Sequence, residues 1–410
     1  MPTPAVPGQQ PTPLRLRSFR AVRYDEDRVG DLSRLLAPPH DELSLEQVRA
    51  LRAHPHHIAR LIHTHEPRAT ARHLRRWLNR GVLRRDERPA VYVYQQQRGA
   101  RILQRGLIGD LVLPPQGGNA EGVLLPHEGV SPHVVRQRAA HMSGLRAQLE
   151  PLLLTYRGTE STAAQVMEHV TRRTPTAVAR LGDITHTLWA CHDEEEASLV
   201  TSGLPRGGAL IADGHHRYAA LRHLGAKPGG FWGSSLALLV DTVTYPLRLS
   251  AIHRVIPGLD PEKAASVAAE VARVRPLPEG PRPPCPGELV LAGAGQAWTV
   301  TDPQPEALRE ALATHPPEWA TLPAAVSDHL LLADAWSVTD LPGAVRYVHN
   351  AGRAVEDVAT PGNGVALLLP PITEDQVREL AGAGVLLPRK STSFGPKPAA
   401  GLALRVLDPQ

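Results

Sequence analysis

A four-residue apolar run, Ala209 to Ala212, passes without a loop into Asp213-Gly214 and then into helical spacing from about His215 to Leu224. This junction constrains the fold most, because a short run with no polar member reads as a buried strand, and it feeds a helix directly. The same reading places strands at Ala90 to Tyr94, Leu103 to Leu113, Val178 to Ala190, Ser235 to Asp241, Leu247 to Ile256 and Val365 to Leu369, with a broken alternation from Leu14 to Tyr24. Helical spacing covers Glu66 to Arg80, Val134 to Leu149, Glu194 to Thr201, Pro305 to Thr314 and Ala324 to Ala335. Ser44 with Gln47 makes a capping box, and Thr373 caps a helix that ends at Gly384. The order of elements is mixed α and β, not a regular βαβ alternation.

Composition excludes several classes. Over 410 residues 42% are hydrophobic, enough for a large core, yet no apolar run approaches the roughly 18 residues of a membrane span. Cys191 and Cys285 form no CxxC pair, which leaves neither a disulfide framework nor a thiolate zinc site and fits a reducing cytoplasm. The net charge of +4 is mild for this length. The densest basic stretch, Arg68 to Arg85, could meet nucleic acid or an acidic partner, but the lack of interleaved aromatics favours a solvated helix face and makes nucleic acid the less expected partner.

Asp213-Gly214-His215-His216-Arg217 puts several chemical functions on one turn. Gly214 opens backbone conformations closed to other residues, the helix start presents a positive dipole end, and Arg217 offers a planar fork for phosphate oxygens. Asp213 is a candidate to hold Mg²⁺ or accept a proton, and His215 or His216 to bind phosphate or transfer protons. The plainer reading makes Asp213 an N-cap, Gly214 a turn residue and the histidines packing groups. A zinc site is disfavoured, because adjacent histidines point to different sides of a helix and no HxxxH spacing accompanies them. On chemistry alone His127-Glu128 with Arg138 could join the cleft, and Lys390 and Lys397 lie in a loop rich in hydroxyls suited to an anion.

The chain resembles the bacterial and archaeal family known as domain of unknown function 1015. The residues carrying the resemblance include Val29-Gly30-Asp31-Leu32, Ala37-Pro38-Pro39-His40-Asp41, Pro89 to Tyr94, Gly106-Leu107-Ile108-Gly109, His127-Glu128 with Arg138, Ile211 to Tyr218, His253 to Ile256, and Lys390 to Phe394 with Pro396-Lys397. His40 and Gly395 depart from it, where the family usually has Tyr and an aromatic. The strand-DGHHR-helix unit is similar to the phosphate-binding element of the ParB and sulfiredoxin superfamily, whose members use ATP, ADP or CTP and include kinases of free L-serine. Carried onto Asp213, Gly214, His216 and Arg217, that resemblance implies nucleotide phosphate contact with a carboxylate near the transferred group.

The expected fold is therefore α/β, of the mixed α+β kind, with a ParB/sulfiredoxin-like nucleotide-binding module and an additional C-terminal α/β module. Residues 1–13 are expected as a disordered tail, 14–272 as the core, 273–287 as a Pro-rich linker or loop, and 288–410 as the C-terminal module. The expected activity is phosphoryl transfer from ATP or ADP with Mg²⁺ to a small hydroxy metabolite such as free L-serine. A nucleotide- or effector-binding regulator and a phosphate-ester hydrolase are the alternatives. Catalytic candidates are Asp213, His216 and Glu128; phosphate candidates are Gly214, His215, Arg217, Arg138, Lys390 and Lys397; the metal candidate is Asp213. A cytoplasmic protein without membrane attachment is expected, and assembly into a homo-oligomer is compatible with the sequence.

Overall fold

Strand pairing organises the described residues around two large sheets, with three two-stranded pairs besides, and the mixed α/β class is observed. A computed structural model describes residues 13–39, 43–64, 66–115, 123–158, 162–205, 208–225, 230–338, 341 and 343–407. His40, Asp41 and all but Pro13 of the expected tail lie outside the described residues. Among the described residues no helix is long and apolar enough to cross a membrane.

The chain forms two compact units. One comprises the residues up to Pro126, Val130–Leu247 and those from Pro396 onward; the other comprises His127–Gly129 and Arg248–Gly395. In the first unit the strands lie in the order Leu124–Leu125, Ala209–Asp213, Leu152–Tyr156, Ser234–Asp241, Arg101–Val112, Val91–Arg98, Ile184–Cys191, Ala177–Leu181, with Leu16–Arg17 paired to Arg101–Val112. Leu152–Tyr156 and Ser234–Asp241 run parallel, and most neighbours are antiparallel. Because strand side chains alternate, Val91 and Val93 enter an apolar core with Leu107, Leu152, Leu154 and Ile211. Met142 of the helix Pro132–Leu145 and Leu221 of the helix His215–His223 close that face. Tyr94 and Gln96 therefore point to the opposite face, where both are fully buried.

The second unit is built on an antiparallel sheet in the order Arg273–Pro276, Gln296–Thr301, Leu289–Gly293, Val365–Leu368, His253–Ile256, Arg346–Val348. Leu291, Val365 and Leu367 pack on one side with Ala264 and Leu331; Val255, Val290, Ala366 and Leu368 pack on the other with Ala354. The division differs from the expected boundary at 273–287. Arg273–Pro276 is a strand whose Pro276 faces Trp298, tolerated because an edge strand does not need every N–H. His253–Ile256 bonds to Val365–Leu368, which ties the 250s to later residues and moves the division to Leu247/Arg248. The helix expected from Ala324 to Ala335 winds more widely, as a π-helix over Val326–Ala335 after one α turn at Pro323–Ala325. Such windings are uncommon and usually local.

Four histidines are buried neutral. His57, His186, His215 and His253 are each pushed down to about 4, foremost by burial. A folded-state pKa below the unfolded 6.5 means that unfolding takes up protons, so their contribution is fully present above pH 6.5 and is lost as pH falls toward 4. The melting temperature, followed by circular dichroism, is expected to be flat with respect to these groups above pH 6.5 and to drop between pH 6.5 and 4. A constant value down to pH 4.5 would contradict their burial as neutral rings.

Candidate functional site

The strand Ala209–Asp213 is buried through Ala212 and pairs with Leu152–Tyr156, its register slipping between Ile211 and Asp213. Gly214 follows at φ 101°, a left-handed conformation that L side chains rarely adopt. A Cβ there would stand 2.7 Å from Leu152 Cδ2 and 3.0 Å from Arg217 Nη2, so the glycine also lets Arg217 fold back over the turn. The helix His215–His223 begins at once, and Arg217, four residues beyond Asp213, donates from Nη2 to Asp213 Oδ2 at 2.5 Å.

The other carboxylate oxygen belongs to Lys397, whose Nζ lies 3.0 Å from Asp213 Oδ1. Lys397 is delivered by its backbone. Gln96 Nε2 donates to the Lys397 carbonyl at 2.7 Å, and Gln104 Nε2 donates to the Pro396 carbonyl at 3.0 Å. These two glutamines face each other across adjacent strands and are fully buried. Carbonyl partners accept only, which fixes both amide orientations. Tyr94 Oη accepts from Ala399 N–H at 3.2 Å and from Gln96 Nε2 at 2.8 Å, pinning the same segment two residues on.

Arg217 also reaches Glu150, with Nη1 3.6 Å from Oε1, and Arg138 Nη1 stands 3.9 Å from Glu150 Oε2. Arg138, Glu150 and Arg217 line a crevice of about 20 Å³, room for about one water. Among these five groups three cations meet two carboxylates, an excess of one positive charge. Burial pushes the Asp213 carboxyl up, but Arg217 and then Lys397 outweigh it and hold the group below its usual range. Asp213 is therefore ionised and a weak proton acceptor. With both oxygens on cations, the surroundings do not fit a metal ion held directly by Asp213; the expected base and metal roles each require Arg217 or Lys397 to move away.

His215 is buried and neutral, and His216 Nε2 accepts from the Ser131 N–H at 3.1 Å. Ser131 is the N-cap of the helix that carries Arg138, so His216 links two helix starts. The first unit thus brings together Asp213, Gly214, His215, His216, Arg217, Lys397 and Arg138.

Glu128 and Lys390 meet in the second unit. Lys390 N–H donates to Glu128 Oε1 at 3.3 Å, and its carbonyl accepts from Arg254 Nη1 at 3.0 Å. These two bonds hold Lys390 at φ 59°, left-handed although it is not glycine. Arg254, with no exposed side-chain surface, makes a bidentate pair with Asp328 at 2.8 and 2.7 Å. His127 is buried, its Nε2 3.2 Å from Thr392 Oγ1.

Sequence reasoning missed Glu150, Gln96 and Gln104. Gln96 had a visible signal, because the strand read to Tyr94 runs straight on into Gln95-Gln96-Gln97, whereas Gln104 had only its place inside the next strand. Glu150 had only its place before Pro151 at the entry to a strand.

The model of a family described as a protein of unknown function (DUF1015) matches residues 16–325. No curated protein matches the chain. Among solved structures, a free serine kinase in complex with AMP is similar at 18% identity and a TM-score of 0.38, covering 67% of this chain and 84% of that one. A conserved hypothetical protein from Pyrococcus furiosus matches at 17% and 0.36, covering 67% and 87%. SbnI with a C-terminal truncation, from Staphylococcus aureus, matches at 12% and 0.37, covering 69% and 84%.

Proposed function

The chain belongs to the family of proteins of unknown function DUF1015, and from that premise we propose that it is a nucleotide-dependent phosphotransferase acting on a small hydroxy metabolite. ATP or ADP is the donor in this reading, and free L-serine is the first acceptor to test. The observation that carries it is the partly buried cation pair, Arg217 and Lys397, held on either side of Asp213 where a left-handed glycine opens a helix. One excess positive charge and the helix dipole favour an anion with several oxygens, and a nucleotide phosphate has that chemistry.

In the transfer, the acceptor hydroxyl oxygen forms a bond to the terminal phosphorus, the bond from that phosphorus to the nucleotide's bridging oxygen breaks, and the hydroxyl proton passes to a base. Arg217 and Lys397 neutralise charge on the phosphoryl oxygens and the departing nucleotide, the main task in such reactions. Arg138 supports Arg217 through Glu150. Glu128, His216 and Lys390 are the remaining candidates, the first two for the proton and Lys390 for charge. Asp213, with Arg217 on one oxygen and Lys397 on the other, does not fit as a direct ligand of Mg²⁺.

Asp213's engagement by two cations favours a second reading, a nucleotide-binding regulator without turnover. Calorimetric titration with ATP and ADP, joined to phosphorus NMR in the presence of serine, separates the two. Arg217→Ala is expected to weaken nucleotide affinity about 10- to 100-fold, the worth of one or two charge-assisted bonds, with the melting temperature measured alongside. Unchanged affinity would remove the phosphate assignment, and binding without a phosphorylated product would leave the regulator.

A further inference from the structure

The first unit carries a basic surface that the phosphate site does not use. In the helix Pro67–Asn79, Thr70, Leu74 and Trp77 are buried, whereas Arg68, Arg72 and Arg76 follow one another at i, i+4 on the outward side and Arg80 caps the end. Four residues of helix rise about 6 Å, so this is a row of evenly spaced guanidinium groups. Two further arginines join it from neighbouring helices. Arg52 lies in Leu45–Ala53 and Arg60 in Ala59–Ile62, and Arg60 Nη1 donates to the Arg52 carbonyl at 2.6 Å. His73 lies among them: burial first, then Arg60, Arg76, Arg72 and Arg52, hold its pKa below the usual value.

Among the described residues, none of these six arginines has a carboxylate within 4.0 Å. Like charges at i, i+4 destabilise a helix, and the first turn of this one holds Arg68 and no acidic residue against the dipole. The like charges of the row repel one another, although Arg76 and Arg80 lie at the favourable end of the dipole and Glu66 is the N-cap, and an external polyanion would relieve that mutual repulsion. We propose that this face binds the phosphate backbone of a double-stranded nucleic acid, recognising charge and not sequence. Guanidinium forks match phosphate oxygens. The outward face of Pro67–Asn79 itself presents no large exposed hydrophobic side chain and so lacks a platform for stacking single-stranded bases, whereas Leu45, at the start of the helix that carries Arg52, is exposed, which makes an anionic membrane the competitor to test.

The test is fluorescence anisotropy of the full chain with labelled duplex DNA and duplex RNA of arbitrary sequence at 50 and 200 mM salt. Binding is expected, with log K falling against log salt at a slope of roughly −4 to −5, as four to six phosphate contacts give. The pair Arg72→Glu with Arg76→Glu is expected to weaken it at least about 10-fold, since opposing charges replace two of the contacts. Arg72→Lys with Arg76→Lys retains most of the affinity and shows that charge is what is read. Equal binding by the Glu pair with a native melting temperature, or no duplex binding by the parent chain at 50 mM salt, would overturn the proposal. Should the Glu pair fail to fold, the single Arg72→Gln, expected to reduce the salt slope by about 1, gives the same decision. Capture on anionic vesicles without duplex binding also overturns it, in favour of a membrane surface.

Discussion

Asp328→Ala is expected to destabilise the second unit by about 3–5 kcal/mol, the cost of leaving a buried charge without its partner. Arg254 has no exposed side-chain surface, and its Nε and Nη2 point at the two Asp328 oxygens. Its remaining donor contacts are the carbonyls of Ile252 and Lys390, which cannot neutralise it. The loss is therefore larger than that of a surface pair, and it is read as a shift in the urea midpoint. Removing both partners, as Arg254→Met with Asp328→Leu, is expected to recover much of the loss, because two apolar chains of similar volume replace two desolvated charges. A single-variant loss below about 1 kcal/mol would show that water reaches Arg254.

Gly214→Ala is expected to cost about 2–4 kcal/mol, combining left-handed strain with overpacking. The new methyl cannot avoid Leu152, which is fixed in the sheet, and its other near neighbours are Nη2 and Nε of Arg217. Arg217 has to yield, so nucleotide affinity is expected to fall together with stability. Chemical unfolding and calorimetric titration of the same variant check both. A native midpoint with native affinity would mean that the turn relaxes freely and that Gly214 places nothing.

The junction Ala209 to Arg217 was legible because it obeys local rules: an apolar strand, a glycine and a helix on one stretch of chain. The capping box at Ser44 and the cap at Thr373 were legible for the same reason; the first forms with Gln47, and the second proves to be a box with Gln376. Lys397 could be named from its loop, but its pairing with Asp213 depends on Gln96 and Gln104, some 300 residues distant, and no spacing encodes such a contact. The Pro-rich stretch misled at Arg273–Pro276, where proline reads as a breaker although an edge strand admits it. Residues 152–156 were passed over although Leu152-Leu153-Leu154 is an apolar run of the same kind as Ala209 to Ala212, because helical spacing was read up to Leu149 just before it. The helical spacing from Ala324 to Ala335 was legible, but the pairing of Asp328 with Arg254 and the wide winding around it follow from tertiary packing.

The lysine that completes the Asp213 cluster arrives late. On a ribosome the strands, the glycine turn and Arg217 emerge first, then the whole stretch Arg248–Gly395 that builds the other unit, and only afterwards the segment bearing Lys397. At ordinary elongation rates that interval is about ten to thirty seconds. Through it, Asp213 has one cation in place of two, and Gln96 and Gln104 lack the carbonyls they will bind. Lys397 can take its place beside Asp213 only after the second unit has been synthesised, which makes the complete charge cluster the last-assembled part of the first unit.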